Sequence, residues 1–170
     1  MLSDNLYIVG LMGSGKTSIG KLLSKTLNTS HIDIDEEIVN QNNLSISEIF
    51  KSHGENHFRE LESNVLRSIS KQCNFIVSTG GGIILSSDNI NIMRKTGRII
   101  HLDISIKSQI MRVKNKKNRP LLNVNNIEEK LKEMKELRDN IYKNISDYSI
   151  MTDNKYKNDI VREIVNKLND

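Results

Sequence analysis

The sequence predicts an α/β domain built on a mainly parallel sheet, and three observations point there. Short apolar runs alternate with longer amphipathic stretches along the 170 residues, the pattern of strands joined by crossover helices. The first apolar run, Leu6-Tyr7-Ile8-Val9, leads directly into Gly10-Leu11-Met12-Gly13-Ser14-Gly15-Lys16-Thr17, a glycine-rich phosphate-binding sequence that requires a strand before it and a helix after it. No linker and no internal repeat divides the chain, so 1–170 reads as a single domain.

Strands are predicted over Leu6 to Val9, His31 to Asp33, Phe75 to Thr79, Arg98 to Asp103 and Tyr148 to Met151, where apolar residues run together. Helices are predicted over Lys16 to Leu27, Glu36 to Asn42, Ile46 to Phe50, Glu55 to Lys71, Asp88 to Thr96, Lys107 to Lys114, Ile127 to Ile145 and Asn158 to Leu168. In the first, Ile19, Leu22, Leu23 and Leu27 recur at helical spacing. Ile127, Leu131, Met134, Leu137, Ile141 and Ile145 mark one face of the long helix, with Arg138 on a different side from most of them. Ile160, Val161, Ile164, Val165 and Leu168 mark one face of the last helix. The single proline, Pro120, falls in a loop and biases Arg119 away from helical dihedrals.

Composition narrows the function classes. Aromatic residues are 4% and Trp is absent, so the core has to be mostly Ile, Leu and Val. The net charge of +4 suits small anionic ligands and is too weak to imply nucleic acid. The basic cluster Lys114 to Arg119 has no interleaved aromatic residues on which bases could stack. The one cysteine, Cys73, excludes an internal disulfide and fits a reducing compartment; it is expected to be a partly buried bystander. The N-terminus does not read as a signal peptide, and no apolar run reaches membrane-spanning length. A soluble, cytoplasmic protein is expected, with no membrane or nucleic-acid partner.

The phosphate-binding loop carries the first chemistry. Gly13 and Gly15 lack a Cβ and let the backbone close on phosphate oxygens. Lys16 reaches the β- and γ-phosphates as a point charge, and the Thr17 hydroxyl suits Mg²⁺. Four further features stand downstream. His31-Ile32-Asp33-Ile34-Asp35 ends the second predicted strand, so Asp33 and Asp35, two apart, would project together from the edge where ligands bind in open α/β sheets. One carboxylate could serve Mg²⁺ through water and the other a substrate hydroxyl; the alternative is that Asp35 only caps the helix that follows. Arg59 lies in the early turns of a helix after Gly54, with Glu62 at i+3, which could also be a surface pair. His53 and His57 are four apart and could suggest a metal pair, but HGENH is not the HExxH of a zinc site and no third ligand suggests itself. Thr79-Gly80-Gly81-Gly82 ends a strand with three glycines, a local loss of stability that suggests close backbone approach to something. Arg119-Pro120-Leu121-Leu122, Arg112 upstream and Arg138 on the long helix supply planar cations suited to carboxylate or phosphoryl groups.

Together these residues resemble the shikimate kinase family, from Tyr7 to about Met151 and in the family's order. Gly10 to Thr17 is similar to its nucleotide loop and Asp33-Ile34-Asp35 to its D-x-D. Ile49-Phe50, Gly54-Glu55 and Phe58-Arg59 are similar to its substrate segment. Gly80-Gly81-Gly82 and Arg119-Pro120-Leu121-Leu122 are similar to its triple glycine and its lid. His31 and Ile34 depart from it, standing where family members often carry an aromatic and a small polar residue.

The resemblance implies a three-layer αβα P-loop kinase fold with a five-stranded parallel sheet, a substrate-binding excursion at about 34–60 and a short lid at about 112–125. It implies transfer of the γ-phosphoryl group of ATP to the 3-hydroxyl of shikimate, in aromatic amino acid biosynthesis, by a monomer using Mg²⁺. Lys16, Asp35 and Arg119 would be catalytic. Gly13, Ser14, Gly15, Lys16, Thr17, Ser18, Arg112 and Arg119 would bind the nucleotide, with Arg112 against adenine. Asp35, Phe50, Phe58, Arg59, Gly80, Gly81, Gly82 and Arg138 would bind shikimate, and Thr17 and Asp33 would serve the metal. Gluconate kinases and nucleoside monophosphate kinases are rivals, but neither is expected to combine the triple glycine, the D-x-D and the Phe-Arg segment. A GTP-binding switch is a rival of another class. Asn115-Lys116-Lys117-Asn118 ends in Asn, which cannot accept two hydrogen bonds from guanine as a carboxylate does.

Overall fold

β1 (Asn5–Val9) is buried along its whole length because it lies between two other strands with helices on both faces. The computed structural model describes residues 3–113 and 126–169. Within them β1 is followed by α1 (Lys16–Leu27), β2 (Ser30–Asp33), α2 (Ile34–Asn42) and α3 (Ile46–Ile69). Then come β3 (Phe75–Ser78), a 3-10 turn at Ile83–Leu85, α4 (Ser87–Thr96), β4 (Gly97–Asp103) and α5 (Ile106–Val113). α6 (Ile127–Ile145), β5 (Tyr148–Met151) and α7 (Lys157–Asn169) complete the chain. The sheet order is β2-β3-β1-β4-β5 and every pairing is parallel.

The period of two along β1 divides the core into two halves. Leu6 and Ile8 face Ile19 and Leu23 of α1 and Ile160, Val161 and Ile164 of α7. Tyr7 and Val9 face the larger half, with Ile34, Ile38, Leu66, Met93, Val113, Leu131 and Tyr142. This is the expected three-layer arrangement. Each of the five strands ends within one residue of its predicted limits. No helix among the described residues is long and apolar enough to cross a membrane.

Several expectations are corrected. α2 begins at Ile34 rather than Glu36, because the Asp33 side chain accepts from the Asp35 and Glu36 amides. The two helices expected around Gly54 are both present, the first opened by a Ser45–Glu48 capping box and extended to Gly54, which takes the non-helical φ 82 and ψ 175 where they meet at a kink. Leu137 is 73% exposed, since the buried face of α6 is formed by Leu131, Met134, Arg138, Tyr142 and Ile145. Cys73 is exposed rather than partly buried.

Close strand packing sets one backbone requirement. Gly97 pairs with Asn5 at the start of β4, and a Cβ there would run into the Asn5 carbonyl oxygen and approach Tyr7. Because the obstacle is backbone, Gly97→Ala is expected to destabilise the fold by about 1–3 kcal/mol. Urea unfolding should show a lower midpoint at unchanged slope. An unshifted midpoint would contradict this account of the β1–β4 pairing.

Candidate functional site

The functional residues gather beyond the carboxyl ends of β1, β2 and β3. At the end of β1 the chain enters the phosphate-binding loop through Gly10, Gly13 and Gly15, all at positive φ. Gly15 caps α1 with no side-chain hydrogen bond, so the first-turn amides of α1 face the loop's concavity without a competing cap. Lys16 Nζ donates to the Gly10 and Leu11 carbonyls at 2.8 and 3.0 Å, which seats the ammonium over the loop. The Thr17 hydroxyl donates to Asp33 Oδ2 at 2.6 Å and keeps its lone pairs available to a cation.

Asp33 and Asp35 do not project together from a strand, as their spacing predicts. Asp33 ends β2 and caps α2 through Oδ1, while Asp35 stands in the first turn of that helix. The cap is Asp33, not Asp35. Both nevertheless line one cavity of about 420 Å³. Gly13, Ser14, Gly15, Lys16, Thr17, Ser18, Thr79, Gly80, Gly81 and Arg112 also line it. Lys155 and Lys157, singled out by no motif, line it as well. Arg112 bonds to the loop rather than standing alone: Nη1 donates to the Gly13 carbonyl at 3.2 Å and to Thr152 Oγ1 at 3.1 Å.

The predicted acid-binding residues stand behind the triple glycine and are not among the residues lining this cavity. A Cβ on Gly80 would strike Glu62 Oε1 and come 3.2 Å from Asp35 Oδ1. One on Gly82 would lie 2.5 Å from the Arg59 guanidinium. Gly81 offers its carbonyl to Arg138 Nη1 at 3.2 Å and to the Tyr142 hydroxyl at 2.5 Å. Close approach of side chains therefore explains Gly80 and Gly82, while a Cβ on Gly81 would make only ordinary contacts. Arg138 lies on the buried face of α6 between Met134 and Tyr142, contrary to the side expected from apolar periodicity. Burial lowers its pKa, yet a guanidinium stays charged.

Glu62 is the residue that sequence spacing undervalues. It is fully buried, so its contact with Arg59 Nη1 at 2.5 Å is no surface pair. Glu55 takes the other edge of the same guanidinium at 2.8 Å. Burial pushes the Glu62 carboxyl up to about 7 against the pull of Arg59. Its Oε1 has no hydrogen-bond partner among the described residues. Phe58 is buried against Phe50, with ring centroids 4.9 Å apart, and Arg59 lies 5.4 Å over the Phe58 ring. Behind this cluster His101 stacks on Tyr142, and burial lowers its pKa to about 4, so the ring is neutral. His31 bonds Ser78 Oγ at 2.9 Å beneath Gly20 of α1, which gives that departure from the family pattern a packing role. Ile34, the other departure, is fully buried. Arg119 lies outside the described residues, as does all of the expected lid beyond Val113 up to Asn126.

The sequence and the fold are matched in known proteins. A family profile described as Shikimate kinase matches residues 12–169. A shikimate kinase of Sulfurihydrogenibium sp. is 40% identical over 164 residues, covering 96% of this chain and 97% of the relative. Among solved structures, a shikimate kinase from Acinetobacter baumannii in complex with shikimate superposes with a TM-score of 0.94. It is 33% identical and the match covers 97% of this chain and 92% of that one. The shikimate kinase of Aquifex aeolicus matches with a TM-score of 0.85 at 36% identity, covering 97% and 96%.

Glu62 generates a pH dependence with a definite sign. Between its ordinary value of 4.5 and about 7 the unfolded chain has released the proton that the folded chain still holds. Its contribution to stability therefore falls as pH rises through that window and levels off above it. Glu62→Gln removes the titration, so the difference in unfolding free energy between wild type and variant should slope only inside the window. Urea titrations at several pH values check this; a difference that stays flat would contradict the burial assigned to Glu62.

Proposed function

The chain belongs to the shikimate kinase family, phosphotransferases that use an alcohol as acceptor, and we propose that its own residues divide that reaction between the two halves of the site. The observation that carries this reading is the single cavity shared by Lys16, Thr17, Asp35, Gly80 and Gly81. The loop from Gly10 to Thr17, with Ser18, presents the γ-phosphoryl group of ATP. Lys16 neutralises charge on the transferring group, and the α1 amides hold the remaining phosphates. Arg112 buttresses the loop toward the nucleotide, and Lys155 and Lys157 add cations to the same rim.

Shikimate is a polyhydroxylated ring with one carboxylate. Asp35 accepts the hydrogen bond of the 3-hydroxyl and holds its oxygen toward the phosphorus. Arg59 and Arg138 clamp the carboxylate through planar donors. The backbone at Gly80, Gly81 and Gly82 lies against the ring, and Phe50 and Phe58 close its apolar side. Phosphoryl transfer asks for alignment and for neutralised oxygens more than for covalent chemistry, which suits a site built from fixed cations and one acceptor.

Mg²⁺ fits the oxygen donors present, since the Thr17 hydroxyl and the Asp33 carboxylate are 2.6 Å apart and both line the cavity. When bound there it would neutralise phosphate charge, with Asp33 acting through water. The segment at about 34–60 serves as the substrate-binding excursion. Arg119 would serve the phosphates from the lid expected at about 112–125, of which positions 114–125 lie outside the described residues. A monomer is taken as the working unit.

Release of ADP should require shikimate and should not be supported by gluconate or nucleoside monophosphates. Arg59→Ala is expected to raise the KM for shikimate about 10- to 100-fold, the loss of charge-assisted hydrogen bonds, with the KM for ATP within twofold. Asp35→Asn should lower kcat by about 10²- to 10⁴-fold while the fold persists. Equal losses for both substrates in Arg59→Ala, or wild-type turnover in Asp35→Asn, would remove these roles.

A further inference from the structure

We infer that Gln109 is a positioning residue for the nucleotide loop, one that never touches the nucleotide yet sets the direction of a loop amide. The inference rests on the loop's binding phosphates as proposed above. Gln109 lies on α5, is fully buried, and donates from Nε2 to the Met12 carbonyl at 2.9 Å. One turn later Arg112 donates to the next carbonyl, that of Gly13, at 3.2 Å. Two successive loop carbonyls are thus drawn toward α5. The Ser14 amide turns back to the Leu11 carbonyl at 3.2 Å, so three consecutive peptides of the loop have fixed orientations.

A trans peptide is planar, with its C=O and N–H pointing in opposite directions. Drawing the Met12 carbonyl to Gln109 therefore directs the Gly13 N–H away from α5. Gly13 lines the cavity at φ 84, and a Cβ there would sit 3.0 Å from Val113 and 3.6 Å from the Gln109 side chain. The loop is pressed against α5 at the point where that amide is set, with no slack for the peptide to turn over unless the Gln109 bond is lost.

The other half of the Gln109 amide shows that packing alone does not account for the residue. Its Oε1 is buried with no hydrogen-bond partner among the described residues, a net loss for the fold. Methionine or leucine would fill similar volume without that loss. Glutamine at this position trades stability for a donor aimed at one loop carbonyl.

The test is Gln109→Met, with Gln109→Leu carried alongside as a second apolar replacement. Calorimetric titrations with Mg·ADP and, separately, with shikimate would be compared with wild type, together with melting temperatures. We expect the ADP Kd to rise at least about fivefold, the shikimate Kd to stay within twofold, and the melting temperature to hold or increase. An unchanged ADP Kd would overturn the inference, as would equal weakening of both ligands or loss of folding in both variants. Wild-type protein that binds shikimate but no ADP would overturn the assignment of the loop itself, and the inference with it.

Discussion

Arg59 and Glu62 fill the space that Cβ atoms would need at Gly82 and Gly80, and the rest of the site depends on that intrusion. Side chains from α3 can reach the end of β3 because Gly80 and Gly82 leave the backbone bare there. Asp35 of α2 stands 3.2 Å from where a Cβ on Gly80 would lie, and the Gly81 carbonyl receives both Arg138 and Tyr142 from α6. Two consecutive helices, α2 and α3, and the distant α6 thereby meet at one strand end. The neighbouring strand β1 carries the phosphate-binding loop, and Thr79 ties the two strands at their ends through the Ile8 carbonyl.

The electrostatics follow from this packing. A fully buried carboxylate beside an arginine is costly to desolvate, and Glu62 resolves that cost partly by a raised pKa and partly by its bond to Arg59. Arg138, also buried, has carbonyl oxygen rather than carboxylate as its neighbour in contact. Two cations thus stand close together, one offset by Glu55 and Glu62 and one held by backbone. An anionic carboxylate is the ligand such a pair would stabilise, while the cationic loop on the other side of Gly80–Gly82 favours phosphates.

Much of this was legible in the sequence where backbone chemistry dictates residue type. Strand limits, the loop and the reason for a glycine run all follow from periodicity and from the absence of a Cβ. Burial of charge was not legible. Glu62 at i+3 from Arg59 has the spacing of an ordinary surface pair, and only the tertiary approach of β3 encloses it. Periodicity places Arg138 away from the apolar face because it counts a charged residue as outward, whereas here Arg138 stands in an apolar position at i+4 from Met134. Asp35 looked like a strand residue because the Asp33 cap that starts α2 early is a side-chain event. Gln109, Lys155 and Lys157 carry no motif at all; their places come from how α5 and the β5–α7 connection fold back onto the loop.

One structure would test the central claim most directly: a crystal of the ternary complex with shikimate and a non-hydrolysable ATP analogue. Shikimate should lie with its carboxylate on Arg59 and Arg138 and its 3-hydroxyl in hydrogen-bond contact with Asp35. Its oxygen should stand about 3–3.5 Å from the γ-phosphorus. Shikimate bound with its carboxylate away from both arginines, or with Asp35 out of reach of that hydroxyl, would contradict the account.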